Sequence, residues 1–332
     1  MNTKEISKED AMMLESLYWW DIPTLFRCPI ERDPEKSDIA LVGVPHSTGN
    51  GTTERDQHLG PRALRNVSAM ARRVHMGFQI DPWKTCRIND MGDVPLPEAN
   101  DNERCIERIT DFYRAIDRSL TRPVSVGGDH SVTGGIIQAI AGEHASLTGG
   151  RKAAFLHFDA HTDAYEKVPH FLGAIKSAAH WASFLVRQGQ IDAHSSVQIG
   201  MRGNPRTLDW LAPSTELGYE VITMERYRSL GMSETIKIIL DRIGDVPLYI
   251  TFDLDCMDPT VAPGVANIEA GVQGFQIDEV LELLRCVRGR NIIGGDVVCM
   301  MPTKDAPNQI TAHTASAVMF EIISLIADYL KA

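Results

Sequence analysis

Short apolar segments alternate along this chain with longer segments of helical character, and this alternation is the feature that most restricts the fold. Runs such as IALVGVP at 39–45 and AAFLHFD at 153–159 are apolar nearly throughout, without the every-second-residue polarity of a half-exposed strand. Strands of this kind are buried on both faces, as in a parallel sheet covered by helices on each side. The sequence therefore predicts an α/β fold, a three-layer α/β/α sandwich with a mostly parallel central sheet.

The same alternation gives the approximate positions of the elements. Strands are expected at 39–45, 122–128, 153–159, 196–201, 219–224, 247–255 and 291–298, and helices at 102–120, 131–144, 177–189, 233–243, 277–289 and 314–330. No linker, internal repeat or low-complexity stretch divides the sequence, so we expect an N-terminal extension over 1–35 and a single domain over 36–332. The extension contains Tyr18, Trp19 and Trp20, an aromatic cluster typical of a core or an interface.

Charge and cysteine content narrow the class of protein. The net charge of −11 leaves no basic excess for neutralising phosphates, which argues against a nucleic-acid partner. No run in the sequence approaches the roughly 20 apolar residues of a membrane span, so we expect no membrane partner. The six cysteines are scattered without a CxxC pair, which favours reduced thiols and a cytoplasmic location.

Three clusters of polar residues follow predicted strands. They are GGDHS at 127–131, HFDAHTDAY at 157–165 and FDLDCMDP at 252–259. Ligands of open parallel sheets bind beyond the carboxyl ends of the strands, which is where these clusters fall. In the second cluster Asp159, His161 and Asp163 are spaced two residues apart, and in extended backbone such side chains point to the same side. The third cluster repeats this spacing at Asp253 and Asp255.

Together the clusters offer four carboxylates and two imidazoles, and the predicted metal ligands are His130, Asp159, His161, Asp163, Asp253 and Asp255. Taken singly, each cluster is also compatible with a polar loop whose carboxylates cap the next helix, and the DxD pair is weaker evidence for a site than DxHxD. Taken together they exceed the needs of one metal ion, and four unpaired carboxylates at a buried strand end would repel one another strongly. Two divalent ions would balance their charge. Oxygen and nitrogen donors without thiolate favour Mn²⁺, Ni²⁺, Co²⁺ or Fe²⁺ over structural zinc.

The three clusters, in this order, resemble the signatures of the ureohydrolase family, which includes arginase, agmatinase, guanidinobutyrase and guanidinopropionase. The matching patterns are GGDHS, DAHTD and FDxDxxDP, and the segment 43–69, with GVP and GPRALRNVSA, is also similar to the agmatinase-type pattern. The resemblance extends from about residue 38 to the end of the sequence. It implies an arginase-like fold and two divalent metal ions per chain.

The resemblance also implies roles for the ligands. One ion would be held by His130, Asp159, Asp163 and Asp253, and the other by His161, Asp159, Asp253 and Asp255. Asp159 and Asp253 would then bridge the two ions. A hydroxide bridging the ions would attack the central carbon of a guanidino group, and Asp163 would accept a hydrogen bond from that hydroxide.

His180, in AAHWASF, stands at the position of the histidine in the family's HGxxF pattern. By that resemblance it is the candidate acid that protonates the leaving amine, and a candidate substrate contact. The alternative is a helix histidine satisfied by local packing, because the residues after it match the family pattern poorly. His157 is interpreted as structural, and Asp129 as a group that orients a ligand.

Two departures from the family pattern bear on the substrate. The family's DVVEVxP is DVVCMMP at 296–302, so Cys299 replaces a glutamate that holds the substrate guanidinium. The family's APGTGTPExGG is APGVANIEAGV at 262–272, in which Asn267 is new and Glu269 is kept. We expect Cys299, Asn267 and Glu269 to contact the substrate, together with His180.

A carboxylate pairs bidentately with an unsubstituted guanidinium, and a neutral thiol removes that anchor and leaves apolar room. The departures therefore favour cleavage of a C–N bond in an N-alkylated guanidine or a biguanide such as metformin, giving guanylurea and dimethylamine. Within the agmatinase-like branch, the chain is similar in this respect to the catalytic subunit of nickel-dependent metformin hydrolases. The alternatives are a conventional Mn²⁺-dependent agmatinase or guanidinobutyrase, which releases urea and an amine, and a non-catalytic partner subunit. The resemblance implies a trimer or hexamer, either homomeric or mixed with a related ureohydrolase subunit.

Overall fold

The computed structural model describes residue 17 and residues 22–52, 54–170 and 172–331, and in them one eight-stranded sheet forms the centre of the protein. The strands are β1 (Ile39–Val44), β2 (Ile88–Asp93), β3 (Arg122–Gly127), β4 (Ala154–Phe158), β5 (Val197–Met201), β6 (Glu220–Thr223), β7 (Leu248–Asp253) and β8 (Ile292–Val298). Their order is β2-β1-β3-β8-β7-β4-β5-β6, and all neighbouring pairs run parallel. The predicted parallel sheet is confirmed.

Helices cover both faces of the sheet, which confirms the predicted three layers. They are α1 (Gly60–Ser68), α2 (Pro82–Thr85), α3 (Asn102–Arg118), α4 (Ser131–Ile140), α5 (Trp181–Arg187), α6 (Ala212–Leu217), α7 (Met224–Ile243), α8 (Ile277–Arg285) and α9 (Ile310–Lys331). Each face has its own hydrophobic core. Leu41 of β1 packs into the core under α1, α8 and α9, whereas the next residue, Val42, packs into the core under α3 and α4. This alternation follows from the two-residue period of a strand.

Five elements differ from the sequence prediction, which does not include the helices α1, α2 and α6 or the strand β2 and which begins α7 too late. The edge strand β2 is not predicted, because its sequence INDMGD has few β-branched or aromatic residues and ends exposed. Helix α7 begins at Met224 and not at 233, because two helical pieces join at Gly231, whose φ of 75° is left-handed and suits glycine.

The closing helix α9 is long and apolar enough to cross a membrane by length and composition, but 78% of its apolar window is buried inside the protein. Ala315, Ile322 and Ile326 are fully buried in the core beside the sheet. The helix is therefore accounted for as a core element of the sandwich.

The N-terminal aromatic cluster, Tyr18, Trp19 and Trp20, lies outside the described residues. Further along the predicted extension, the side chains of Leu25 and Phe26 are buried, at 0% and 2% exposure. The backbone N–H of Leu25 donates a hydrogen bond of 2.8 Å to the carboxylate of Asp90 on β2. This part of the extension therefore packs on the edge of its own domain.

The strand order brings the polar clusters together. Strands β3, β8, β7 and β4 are neighbours at the middle of the sheet, and parallel strands place all their carboxyl ends at one edge. The loops that leave β3, β4 and β7 at this edge carry the three predicted clusters. The fold thus gathers side chains that are up to about 120 residues apart in sequence.

Candidate metal centre

The first group of predicted ligands surrounds His130, which is 1% exposed. Its Nδ1 lies 3.0 Å from Oδ2 of Asp159, 3.0 Å from Oδ2 of Asp163 and 3.2 Å from Oδ2 of Asp253. Among the described residues, none makes a hydrogen bond of acceptable geometry with this nitrogen. A buried imidazole nitrogen that faces three carboxylate oxygens without a hydrogen bond is arranged as a metal ligand.

The second group surrounds His161. Its Nδ1 lies 3.1 Å from Oδ2 of Asp255 and 3.3 Å from Oδ1 of Asp159. Asp159 therefore directs one carboxylate oxygen toward each histidine, which fits its predicted bridging position. Asp253 directs Oδ2 toward His130, while its Oδ1 accepts a hydrogen bond of 2.9 Å from the N–H of Asp255.

Burial and neighbouring charges drive the carboxyl pKa values apart. Burial, followed by the charges of Asp255 and Asp159, raises the pKa of Asp253 well above its usual range. Burial acts on Asp159 in the same direction, but the three histidines around it outweigh burial and hold the pKa of Asp159 well below its usual range. All the carboxylates of the cluster ionise together only if positive charge is supplied. The donor set and its charge therefore fit a pair of divalent metal ions.

The loop after β4 is held in shape by Trp181, a residue to which the sequence prediction assigned no role. Its indole Nε1–H donates a hydrogen bond of 2.9 Å to Oδ2 of Asp163, which is a left-handed residue with φ of 47°. The Trp181 ring is fully buried against His130, and Gly134 on α4 leaves space for it, since a Cβ there would lie 3.2 Å from the Trp181 Cβ. A strained ligand residue fixed by a buried donor is typical of a functional site.

His157 contacts the candidate ligand Asp159 through one ring nitrogen and Gln198 through the other. The Gln198 side-chain amide donates to the backbone oxygen of Thr162 at 2.7 Å and contacts Nδ1 of His157 at 3.0 Å. Nδ1 is therefore an acceptor, and Nε2–H donates to Oδ2 of Asp159 at 2.9 Å. Asp129 accepts hydrogen bonds from the N–H groups of Asn50 and Ser131, so it fixes the loops beside the centre.

His180 lies at the start of α5 with both ring nitrogens engaged. Its Nε2 accepts a hydrogen bond of 3.0 Å from the N–H of Val168, and its Nδ1 lies 2.6 Å from the hydroxyl of Ser177. Burial lowers the pKa of His180. In this arrangement the ring is neutral and ties the two ends of the loop 168–180 together.

Of the predicted substrate contacts, Cys299 and Glu269 lie beside candidate ligands, Asp253 and His161 respectively. Cys299 follows β8 in a left-handed conformation, with φ of 67°, and its N–H donates a hydrogen bond of 2.8 Å to the oxygen of Gly128. Asn267 is exposed, whereas Glu269 places Oε1 3.3 Å from Nε2 of His161. Glu269 thus contacts the outer nitrogen of a candidate ligand.

The two departures from the family pattern are neighbours in the structure. Val265 and Met300 form a β-bridge, and the N–H of Met301 donates to the oxygen of Gly264 at 2.6 Å. The altered loop is therefore joined to the chain directly after Cys299.

A parallel α/β/α sandwich that gathers carboxylates and imidazoles beyond its central strands defines an arginase-like metal-dependent hydrolase. Residues 37–324 match the arginase family, and the chain belongs to this family. It is a hydrolase acting on C–N bonds of guanidino compounds.

Curated relatives and solved structures agree with this assignment. The chain is 35% identical to the guanidinopropionase of Pseudomonas aeruginosa over 92% of both chains. It is 32% identical to the human mitochondrial guanidino acid hydrolase, over 90% of this chain and 81% of the relative. Proclavaminate amidino hydrolase from Streptomyces clavuligerus superposes with a TM-score of 0.85 and 27% identity, covering 94% of this chain and 99% of that one.

Proposed function

We propose that the protein hydrolyses an N-alkylated guanidine or a biguanide such as metformin, releasing an amine such as dimethylamine. The observation that carries the proposal is Cys299 at the end of β8, where the family pattern has a glutamate. Burial, followed by the charges of Asp253 and Asp255, raises the pKa of the Cys299 thiol well above its usual range. A neutral thiol offers an unsubstituted guanidinium no charged acceptor, and suits an alkylated nitrogen better.

The loop beside Cys299 supports the same substrate class. Val265 is buried and forms a β-bridge with Met300, and Ile268, three residues further along the same loop, leaves 47% of its surface exposed. Val265, Ala266 and Ile268 thus stand where the family pattern has Thr, Gly and Pro, next to a thiol that has replaced a carboxylate. Both changes favour a substrate that carries methyl groups where ordinary guanidino substrates carry N–H donors.

The remaining chemistry is assigned to the part of the centre that matches the family pattern. Bound at the two histidine groups, divalent metal ions supply the Lewis acidity that makes water a nucleophile near neutral pH. The residues that would hold them are His130, Asp159, His161, Asp163, Asp253 and Asp255. Trp181 fixes Asp163 and His157 fixes Asp159, so both carboxylates are oriented before substrate arrives. Ni²⁺ is proposed with the biguanide substrate and Mn²⁺ with a conventional one, since these donors accept both.

A conventional agmatinase or guanidinobutyrase is the second candidate. It is favoured by the identity to the guanidinopropionase and to the agmatinase of Photorhabdus laumondii, which is 31% over 91% of this chain. A non-catalytic partner subunit has less support, because the complete ligand set is costly to assemble without a metal. Cytoplasmic location and a trimer or hexamer, homomeric or mixed, stay predictions.

A substrate panel with identified products separates the candidates. The Ni²⁺- or Mn²⁺-loaded protein is incubated with metformin, agmatine, 4-guanidinobutyrate and arginine, and urea, guanylurea and dimethylamine are measured. We expect guanylurea and dimethylamine from metformin as the dominant products. Dominant urea release from agmatine or 4-guanidinobutyrate would contradict the biguanide proposal and leave the family assignment intact.

Changing Cys299 tests the observation that carries the proposal. In Cys299→Glu we expect urea release from agmatine-type substrates to rise relative to metformin cleavage by at least about tenfold, because a charge-assisted hydrogen bond contributes about 1.5–3 kcal/mol. Cys299→Ser, which stays neutral and small, is the matched control and should keep the original preference. An unchanged preference in Cys299→Glu would show that position 299 does not select the substrate.

The role of His180 as the acid for the leaving amine stays a prediction, with a test that its contacts suggest. If the imidazole delivers the proton, His180→Ala should lower kcat by about 10²–10⁴-fold and alter the pH profile. Ser177→Ala, which keeps the imidazole but removes one of its partners, should lower kcat by less than about tenfold. Equal losses in both variants, confined to KM, would instead assign His180 to holding the loop.

A further inference from the structure

A row of polar side chains crosses the sheet directly beneath the metal centre. Ser125, Asp296, Thr251, His157 and Gln198 are register partners on the adjacent strands β3, β8, β7, β4 and β5. All are buried, at 0% exposure. Polar groups in a sheet core are costly unless they hydrogen-bond, so the partners of this row reveal what it does.

The row stands one pleat below two candidate ligands. Asp159 follows His157 by two residues, and Asp253 follows Thr251 by two residues, so each pair points to the same side of its strand. His157 and Gln198 orient Asp159 by hydrogen bonds, as described above. Thr251 and Asp296 contact a different candidate ligand, His130.

Asp296 is an acceptor for three hydroxyl groups. Its Oδ1 accepts from Thr251 Oγ1 at 2.6 Å, and its Oδ2 accepts from Thr133 Oγ1 at 2.8 Å and from the Tyr249 hydroxyl at 2.9 Å. This surplus of donors is the environment of a carboxylate that donates none.

The hydroxyl hydrogen of Thr251 is therefore committed to Asp296, which leaves its oxygen to accept. The nearest ring nitrogen is Nε2 of His130, at 2.9 Å. Nε2 consequently carries a hydrogen, and Nδ1 is the ring nitrogen that faces the carboxylates of Asp159, Asp163 and Asp253. The direction of one hydroxyl decides which nitrogen of His130 is open to a metal ion.

We propose that Thr251 and Asp296 are positioning residues that hold the His130 imidazole with its hydrogen on Nε2 and its Nδ1 free to bind a metal ion. Without this acceptor, the ring gains nothing by keeping its hydrogen on Nε2, and three carboxylates attract the hydrogen to Nδ1. A hydrogen on Nδ1 blocks metal binding at that atom. Thr251 and Asp296 thus affect the affinity for one metal ion indirectly, by orienting its ligand His130.

The effect is confined to one of the two metal positions. His161, on the second group, is 32% exposed at its side chain, and its Nε2 faces Glu269 rather than the buried row. Changing Thr251 should therefore weaken the binding of the ion held by His130 and leave the binding of the other ion unchanged. This selectivity rests on the two-ion centre of the proposed function, and it distinguishes positioning from a general loss of stability.

The test uses Thr251→Val, which keeps the shape and removes the hydroxyl, with Thr251→Ser as the variant that restores it. Metal-free full-length protein is titrated with Mn²⁺ and with Zn²⁺, and both dissociation constants and the stoichiometry are measured. In Thr251→Val we expect one constant to rise about 10–100-fold and the other to change less than threefold. Thr251→Ser should recover the wild-type values, and Asp296→Asn should resemble Thr251→Val.

Ser125→Ala is the matched control. Ser125 belongs to the same buried row, but its hydroxyl pairs with Tyr113 at 2.7 Å and not with Thr251. Both metal dissociation constants should stay within about twofold of the wild-type values in this variant, because independent sites affect one another by less than about 0.5 kcal/mol. Unfolding midpoints of the metal-free proteins identify any variant that fails to fold; if Thr251→Val does, Asp296→Asn against wild type supplies the comparison.

A second readout addresses the tautomer directly. In nitrogen-15 spectra of Zn²⁺-loaded protein, His130 should show a hydrogen on Nε2 and none on Nδ1. A hydrogen on Nδ1, or a Thr251→Val protein that binds both ions with wild-type constants, would overturn the inference. Fewer than two ions in the wild type would instead contradict the two-ion centre, while the His130 spectrum would still decide the tautomer.

Discussion

Asp159→Asn should abolish activity and metal binding together. Asp159 directs Oδ2 toward His130 at 3.0 Å and Oδ1 toward His161 at 3.3 Å, so both groups of ligands lose a carboxylate oxygen at once. The amide that replaces the carboxylate can also turn its N–H group toward His157, which in the wild type donates a hydrogen bond to Asp159. We expect turnover to fall more than about 1,000-fold, as when one member of a catalytic unit is removed, and metal content to fall well below two ions per chain.

The measurement combines turnover on the best substrate of the panel with metal analysis after dialysis. Asp209→Asn, which removes one negative charge from an exposed position, is the control for charge alone and should behave as wild type. Retention of two ions, or of more than a few per cent of the activity, would mean that Asp159 does not connect the two groups.

Asp90→Asn should destabilise the protein strongly while leaving the centre untouched. Asp90, on the edge strand β2, is 1% exposed and accepts from Arg65 Nε at 2.9 Å and Nη2 at 3.0 Å. It also accepts from the backbone N–H of Leu25, which anchors the N-terminal segment. Breaking a buried pair leaves Arg65 without its main partner, and we expect the free energy of unfolding to fall by about 3 kcal/mol.

Asp93→Asn provides the matched control for this prediction. Asp93 also pairs with Arg65, at 2.6 Å, but its side chain is 43% exposed. An exposed pair contributes less than about 1 kcal/mol, so this variant should lose little stability in urea titrations at pH 7. Equal losses in the two variants would show that burial of Asp90 is not what matters.

The contribution of Asp90 should also depend on pH in a defined direction. Burial raises the pKa of Asp90, but the hydrogen bonds from Arg65 and Leu25 outweigh it and lower the pKa in the folded protein. A lowered folded-state pKa stabilises the protein fully above the unfolded value of about 3.9, and the stabilisation is lost as pH falls through the folded value. The stability difference between wild type and Asp90→Asn should therefore shrink in urea titrations between about pH 5 and pH 3.

The sequence was sufficient for the parts of the fold that depend on local pattern. Strands such as β4 and β7 are recognisable because both faces are buried and nearly every residue is apolar. The strand β2 is not recognisable in this way, since its pairing with β1 and the Arg65–Asp90 contact hold a segment of low β-propensity. Helix α7 escaped correct placement because Gly231 joins two helical pieces in a way that only packing decides.

The candidate site, like the fold, was predictable from the sequence only in its local features. The sequence by itself determined the ligand types, because two-residue spacing on strands and strand-end position are local properties, and it singled out Cys299 by departure from a pattern. Only the tertiary structure decided which atom of each side chain faces which partner. Which oxygen of Asp159 faces which histidine, how Trp181 fixes Asp163, and which nitrogen of His130 is open all depend on side chains brought together across the sheet. Hydrogen-bond direction is set by the neighbours of a group in space, and the row Ser125–Asp296–Thr251–His157–Gln198 exists only once five strands are in register.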